Sequence, residues 1–348
     1  MKALKINRRG LSWIGMILSV VCLFLLLRGL DLSAVVGTLS EVDYAWLLVA
    51  LVLYWVVVWL KVIRWRTMFY REPVRHSKAL SAFSIGYLFN AVMPARLGEL
   101  VRAYVIGELE HISKAFALST IVAEKVLDVV MVLLLLLLSL PAFVQLPDWA
   151  QTSSLTAVAF FLVLFVVIVA VARKKERLLS LARSLLQHVP RHSQGSASIL
   201  GGLESLLSGL SILSRRDLAI RLWGLSLVSW IISIPSVWAL LAALRVPLST
   251  PWLAATFVLC TTSLGMTIPS SPGYIGPFHY IAVLALSVFA VSREMSMSFA
   301  ILLHLYTILP ISLLGVVMMW RENYSLGRLE SAGLGGSRQN REDCRNAS

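Results

Sequence analysis

Residues 86–108 read GYLFNAVMPARLGELVRAYVIGE, an apolar stretch interrupted by Pro94 and Gly98 and carrying Arg96, Glu99 and Arg102 close together. Pro94 removes a backbone donor and Gly98 relaxes the chain, so a helix entering this stretch breaks there. The three charges stand at i, i+3 and i+6 and share one face of the helix that follows. Asn90, just before the break, adds amide donors. A break at membrane depth leaves backbone groups that need protein or water partners, which implies a lined cavity.

The rest of the chain places this stretch in a membrane. Of 348 residues, 58% are hydrophobic and 14% are charged, against roughly a quarter charged in a soluble domain. Uncharged runs such as 129–143 (VVMVLLLLLLSLPAF) and 153–172 stand between polar clusters. Runs of about 18 apolar residues cross about 30 Å of hydrocarbon as helix. The short alternating segments of a transmembrane β-barrel are not seen. The pattern predicts an all-α, polytopic transmembrane helical bundle. Ordinary spans are expected at about 11–30, 45–64, 116–140, 153–172, 218–244 and 297–320. Two regions, 79–110 and 252–291, are broken by Pro and Gly and read as re-entrant helical hairpins.

Sidedness follows from the basic residues, which sit at the ends of the apolar runs, where they orient a membrane protein. With the N-terminus in the cytoplasm and both hairpins returning to their side of entry, all but six of the 31 Lys and Arg fall on the cytoplasmic side. Arg28, Arg245 and Arg293 lie outside; Arg96, Arg102 and Lys125 lie within the membrane. The net charge of +13 therefore reflects topology. No nucleic-acid-reading motif accompanies it, so no nucleic acid is expected. Lys61, Arg64 and Arg66 mark a cytoplasmic edge beside the Trp-rich stretch from Tyr54 to Trp65.

In this topology the two halves form the same unit in opposite orientation: span, broken hairpin, span. The hairpins share a turn pattern, Pro94-Ala-Arg-Leu-Gly98 against Pro269-Ser-Ser-Pro-Gly273. Inverted repeats with broken helices near the midplane are a recurring transporter design. The folded unit is expected over residues 1–322, with 173–217 as a cytoplasmic amphipathic connector and 323–348 as a disordered cytoplasmic tail. The expected location is a bacterial inner (plasma) membrane, multi-pass, with both termini in the cytoplasm.

The span after the first hairpin holds Glu124, Lys125 and Asp128, the two carboxylates at i and i+4 on one face. Ionised side chains near mid-membrane cost at least ~2.5 kcal/mol each, so they pair or face water. The inventory balances, with Arg96, Arg102 and Lys125 against Glu99, Glu124 and Asp128. These six are expected around one polar cavity that receives a lipid headgroup, the arginines offering forked donors to phosphate. A neutral network that only ties helices together is the competing reading. The second hairpin turns on Pro269, Pro272, Gly273 and Gly276, with Ser271 offering a hydroxyl and His279 just beyond. A lone His is more often a packed residue than a proton carrier. Three cysteines give no metal-ligand spacing, and no nucleotide-hydrolysing, dinucleotide-binding or hydrolase motif is present. No metal, cofactor or catalytic residue is expected.

These residues carry a family resemblance. The chain resembles the transmembrane-region family of lysylphosphatidylglycerol synthases, a flippase-like group of integral membrane proteins. The motifs are N-x-x-x-P-x-R-x-G-E-x-x-R from Asn90 to Arg102, E-K-x-x-D at Glu124, Lys125 and Asp128, and P-x-x-P-G-x-x-G from Pro269 to Gly276. Lys125 stands where the family pattern has Arg, and His279 where a Glu commonly follows the last glycine. The resemblance implies a stand-alone module that translocates an anionic phospholipid or a polyprenyl-phosphate-linked lipid, without aminoacyl transfer. An enzyme or accessory subunit acting on polyprenyl-linked sugars in envelope glycan synthesis is the alternative. Glycosyltransferase or envelope-synthesis partners go with it.

Overall fold

The computed structural model describes residues 8–70, 72–93, 97–139, 216–267 and 271–324, with a few isolated positions between 152 and 180. The expected span 153–172, the connector, the tail beyond Tyr324, and Pro94, Arg96 and Pro269 lie outside the described residues. The rest is helical: α1 (Arg8–Leu27), α2 (Leu32–Ser40), α3 (Tyr44–Thr67), α4 (His76–Val92), α5 (Gly98–Glu110) and α6 (Lys114–Ser139). After the gap come α7 (Arg216–Ala243), α8 (Pro251–Gly265), a 3-10 turn (Pro272–Tyr274), α9 (Pro277–Ser287) and α10 (Arg293–Arg321).

Among the described residues, three uninterrupted helices are long and apolar enough to cross a membrane: Tyr44–Thr67, Leu218–Ala243 and Arg293–Arg321. The 24 residues of α3 span roughly 36 Å at 1.5 Å per residue. Its outer face carries Leu48, Val52, Val56 and Trp59, all exposed. Leu305, Leu309, Leu313 and Val316 do the same on α10. These spacings put each set on one helix face, a stripe fit for acyl chains. Helix α6 has 26 residues and is equally long, but Glu124, Lys125 and Asp128 set it apart from the other three.

The first span, expected at about 11–30, ends at Leu27, and the chain turns 88° into α2. Gly29 takes φ 73° at the corner. Asp31 then caps α2, accepting from the Ser33 and Ala34 N–H groups, which otherwise have no intrahelical partner. A hydrogen bond from the Ser33 hydroxyl, together with those two backbone bonds, holds the Asp31 carboxyl below the usual carboxylate range. Arg293, at the start of α10, donates to the carbonyls of Leu25 and Leu26 and so pins the end of α1 to the last span.

Both interrupted regions are pairs of short helices. The first breaks between Val92 and Gly98, bracketing the expected site. Helix α5 lies so close on α4 that a Cβ at Gly98 would overlap the Gly86 carbonyl oxygen, with Asn90 Oδ1 at 2.6 Å. The second pair is α8 and α9, which pack on each other through the glycine turn. Helices also cross between the halves, α3 along α7 and α10 along α4. At Gly315 of α10 an added Cβ would stand 2.6 Å from the Ser84 carbonyl oxygen. Such close approach of small residues is how helices associate where lipid removes the hydrophobic drive. One apolar cluster joins Trp65, Phe69, Phe83, Phe89, Ile106 and Leu127. Another joins Met131, Leu136, Leu240, Phe257, Leu286 and Phe299.

Candidate functional site

Helix α6 carries the charged centre. Its Glu124 accepts a hydrogen bond from Arg102 of α5 at 2.7 Å and pairs with Arg64 of α3 at 3.3 Å. Arg64 also donates to Asp128, one turn along α6, at 2.8 Å and to Ser226 of α7 at 3.0 Å. Trp230 of α7 adds its indole N–H to Asp128 at 3.2 Å. Three elements of the first half and one of the second thus meet on two carboxylates. Side-chain exposure is 0% for Arg64, 1% for Glu124 and 3% for Arg102. Two cations and two carboxylates leave the cluster neutral, which spares it the cost of an uncompensated buried charge.

Aromatic rings seal one side of it. The Arg102 guanidinium lies 3.7 Å from the Trp65 ring centroid and 4.4 Å from that of Phe83. Trp65 is itself oriented by its N–H bond to the Thr120 hydroxyl at 3.0 Å. A desolvated cation–ring contact of this kind is worth about 2 kcal/mol or more. Arg102 is therefore walled in and cannot reach a ligand in this conformation.

A second ion pair, Lys125 with Glu99 at 3.5 Å, is more exposed, at 34% and 26%. Asn90 has a structural task. Its Oδ1 accepts the Gly98 N–H at 3.0 Å, one of the orphan donors at the start of α5.

Between the halves lies a cavity of about 300 Å³. Its polar lining includes Lys61, Asn90, Lys125, Asp128, Tyr87 and Ser233; Val57, Val132, Leu264, Met266, Phe278 and Ile311 supply apolar walls. Of the expected site residues, Asn90, Lys125 and Asp128 reach this cavity. Arg102 and Glu124 sit behind it in the buried cluster, and Glu99 stands with Lys125. Of the six charges expected around one cavity, the five described form a buried cluster of Arg102, Glu124 and Asp128, joined by Arg64, and the pair Lys125–Glu99, with Asp128 and Lys125 both on the cavity wall. Arg96 lies outside the described residues.

Ser271 and His279 stand apart from the cavity lining. The Ser271 N–H donates to the Ser19 hydroxyl of α1 at 3.1 Å, and its hydroxyl donates to the Ile275 carbonyl at 2.9 Å. His279 is buried with its ring 4.6 Å from that of His304 on α10. His304 Nε2 in turn bonds the Gly273 carbonyl at 2.6 Å. Gly273 and Gly276 adopt φ of 66° and 99°, as their expected place in the break requires. The turn meets both other units. A Cβ at Gly273 would lie 3.3 Å from the Ala91 carbonyl of α4, and one at Gly276 would lie 2.5 Å from the Ser19 carbonyl.

Two residues were read differently from the sequence. Lys61 and Arg64 look like interfacial anchors, yet α3 continues to Thr67 and carries both inward. Only Arg66 of that group is exposed. A signal was available: Lys61 and Arg64 stand at i and i+3 on one face, whereas Arg66 points elsewhere. Tyr87 and Trp230, which also line the cavity, carry no sequence signal beyond their aromatic type, whereas Tyr274, also in the lining, stands in the Pro/Gly-rich turn as a hydroxyl donor. Among the described residues no group of three or more His, Cys, Asp or Glu could hold a metal ion.

Comparison with known proteins places the chain among membrane proteins. A UPF0104 membrane protein of Methanothermobacter thermautotrophicus is 24% identical over 315 residues, covering 86% of this chain and 92% of its own. The glycosyltransferase AglD of Haloferax volcanii is 28% identical over 307 residues, 78% of this chain. The match spans only 48% of AglD. A further UPF0104 membrane protein, from Methanocaldococcus jannaschii, is 22% identical over 252 residues, covering 68% of this chain and 71% of that protein. No solved structure matches. The family model described as the lysylphosphatidylglycerol synthase TM region matches residues 12–315, and the chain belongs to that family of multi-pass membrane proteins.

Proposed function

We propose that this chain is an accessory membrane module of glycan synthesis, which holds a polyprenyl-phosphate-linked or related anionic glycolipid in the cavity between its halves. The carrying observation is the cavity's mixed lining, in which Lys61, Lys125 and Asp128 stand among apolar residues such as Val132, Leu264 and Ile311. A headgroup and the first carbons of its chain need that pairing of surfaces. The likeness to part of AglD, a protein named as a glycosyltransferase, supports the sugar-linked substrate and a glycosyltransferase partner. Mass spectrometry of lipid retained by the purified protein tests this. A phosphorylated polyprenyl lipid enriched over its share in the membrane is the expected outcome. Bulk phospholipid in bulk proportions would sink it.

Movement of that lipid between leaflets is a second reading, favoured by the contact between the broken segments at Gly273 and Ala91. In it, α3, α4–α5 and α6 form one unit, and α7, α8–α9 and α10 form its inverted counterpart. Rocking of one against the other opens the cavity to alternate sides, with both termini cytoplasmic. Liposomes containing the protein should then scramble a labelled polyprenyl-phosphate lipid faster than empty ones. Equal rates would remove this reading while leaving the binding role intact.

A further inference from the structure

We propose that Lys61 is the phosphate-binding residue of the cavity, with Trp230 as the platform beside it, and that the site therefore selects headgroups of net negative charge over net positive ones. The inference rests on reading the cavity as a lipid site and says which lipid charge it takes.

The argument is a local balance of charge. Among the described lining residues the charged groups are Lys61, Lys125 and Asp128. Asp128 is held by Arg64 at 2.8 Å and Lys125 by Glu99 at 3.5 Å. With Arg64, Arg102, Glu124 and Asp128 neutral as a group, Lys61 is the cation left over. It has no carboxylate within ion-pair distance among the described residues. Its ammonium instead lies 5.6 Å from the Trp230 ring centroid, beside the indole that bonds Asp128. Lys61 and Lys125 both line the cavity with Asp128, so the two ammonium groups serve one site. A compact ammonium on a flexible stem suits a phosphate oxygen as a point charge. An aromatic face next to it suits the first apolar carbons of a prenyl or acyl chain.

Position supports the same assignment. Lys61 stands six residues before the end of α3 at Thr67, roughly 9 Å along the helix. It is deep enough to be shielded from bulk salt and near enough to one surface for a headgroup to enter. The cationic lipid in the family's name carries two amines against one phosphate and so meets an excess of like charge here.

Binding to the purified full chain in nanodiscs tests this, with five probes: a short polyprenyl phosphate, the matching polyprenol, phosphatidylglycerol, lysylphosphatidylglycerol and inorganic phosphate. The wild type should prefer polyprenyl phosphate over polyprenol, and phosphatidylglycerol over its lysylated form, by about tenfold or more. Lys61→Gln should weaken polyprenyl phosphate by about tenfold with polyprenol unchanged, and Lys61→Arg should restore most of it. Equal binding by Lys61→Gln and wild type would overturn the assignment while the lipid site stands. Tighter binding of inorganic phosphate than of the lipid would overturn it in favour of a soluble anion. If Lys61→Gln does not fold, the wild-type series decides: absence of either headgroup preference overturns the proposal. A wild type that binds none of the lipids removes the cavity's lipid role, and this assignment with it.

Discussion

The two broken regions meet at one place but are held there by different physics. Helices α4 and α5 are locked by shape and charge: Gly98 against Gly86, Asn90 on the Gly98 amide, and Arg102 walled between Trp65, Phe83 and Glu124. The turn between α8 and α9 has no ion pair among the described residues. It is held by two left-handed glycines, one His304 bond and one amide bond to Ser19. A buried ion cluster is all-or-none, whereas single hydrogen bonds exchange at about 1 kcal/mol each. The first region is thus built as a fixed wall and the second as a part whose attachment can be traded.

Substitutions sharpen that contrast, beginning where the effect is greatest. Gly98→Ala puts a methyl into the Gly86 carbonyl, a backbone atom that cannot step aside. Overpacking costs 1–3 kcal/mol even where side chains yield, so loss of folded protein on size exclusion is expected. Next comes Arg64→Met, which strands Asp128 and half of Glu124 and should cost about 3–5 kcal/mol in thermal unfolding. The double change Arg64→Met with Asp128→Leu should recover much of that loss. No recovery would mean that the cluster is not the cause. On the other side, Gly276→Ala forces a side chain into φ 99° against the Ser19 carbonyl. About 1–3 kcal/mol is expected, with lipid binding impaired in protein that still folds. His304→Phe keeps the ring and removes the Gly273 bond, so about 1 kcal/mol should be lost.

The smallest effect lies outside the membrane. Burial pushes the Glu322 carboxyl up, but bonds from Lys78 at 2.5 Å and Ser81 at 3.0 Å outweigh it and hold the group below its usual range. Its contribution is therefore complete above the unfolded value of about 4.3 and fades as pH falls through the lower folded one. Glu322→Gln should flatten the acid limb of a stability–pH curve slightly. An unchanged limb would show that the tie between α4 and α10 carries no weight.

Much of this could be read from residue type and spacing. Pro and Gly marked both breaks, and the balance of charge pointed to ion pairing within the set without saying which residue pairs with which. Arg64 escaped because basic residues after a Trp-rich run resemble an interfacial belt, and whether such a residue faces water or a neighbour depends on where the helix ends. Helix α2 escaped for a different reason. Nine residues after a capping Asp31 give too little periodic signal to stand out from a loop. Lys61 was visible as a charge, but that no described carboxylate pairs with it emerged only once Arg64 had claimed Asp128.

The corner at Gly29 has a consequence for how the molecule sits. If α1 crosses the bilayer, a helix turned 88° from it would run along the membrane surface. Its exposed Leu32 and Val36 are placed to rest among the lipid glycerols, while Arg28 and Asp31 mark the aqueous side. Together with Arg293 they act as a depth gauge that fixes the protein's height against one leaflet. A thicker bilayer must then be met by adjustment at the opposite leaflet alone.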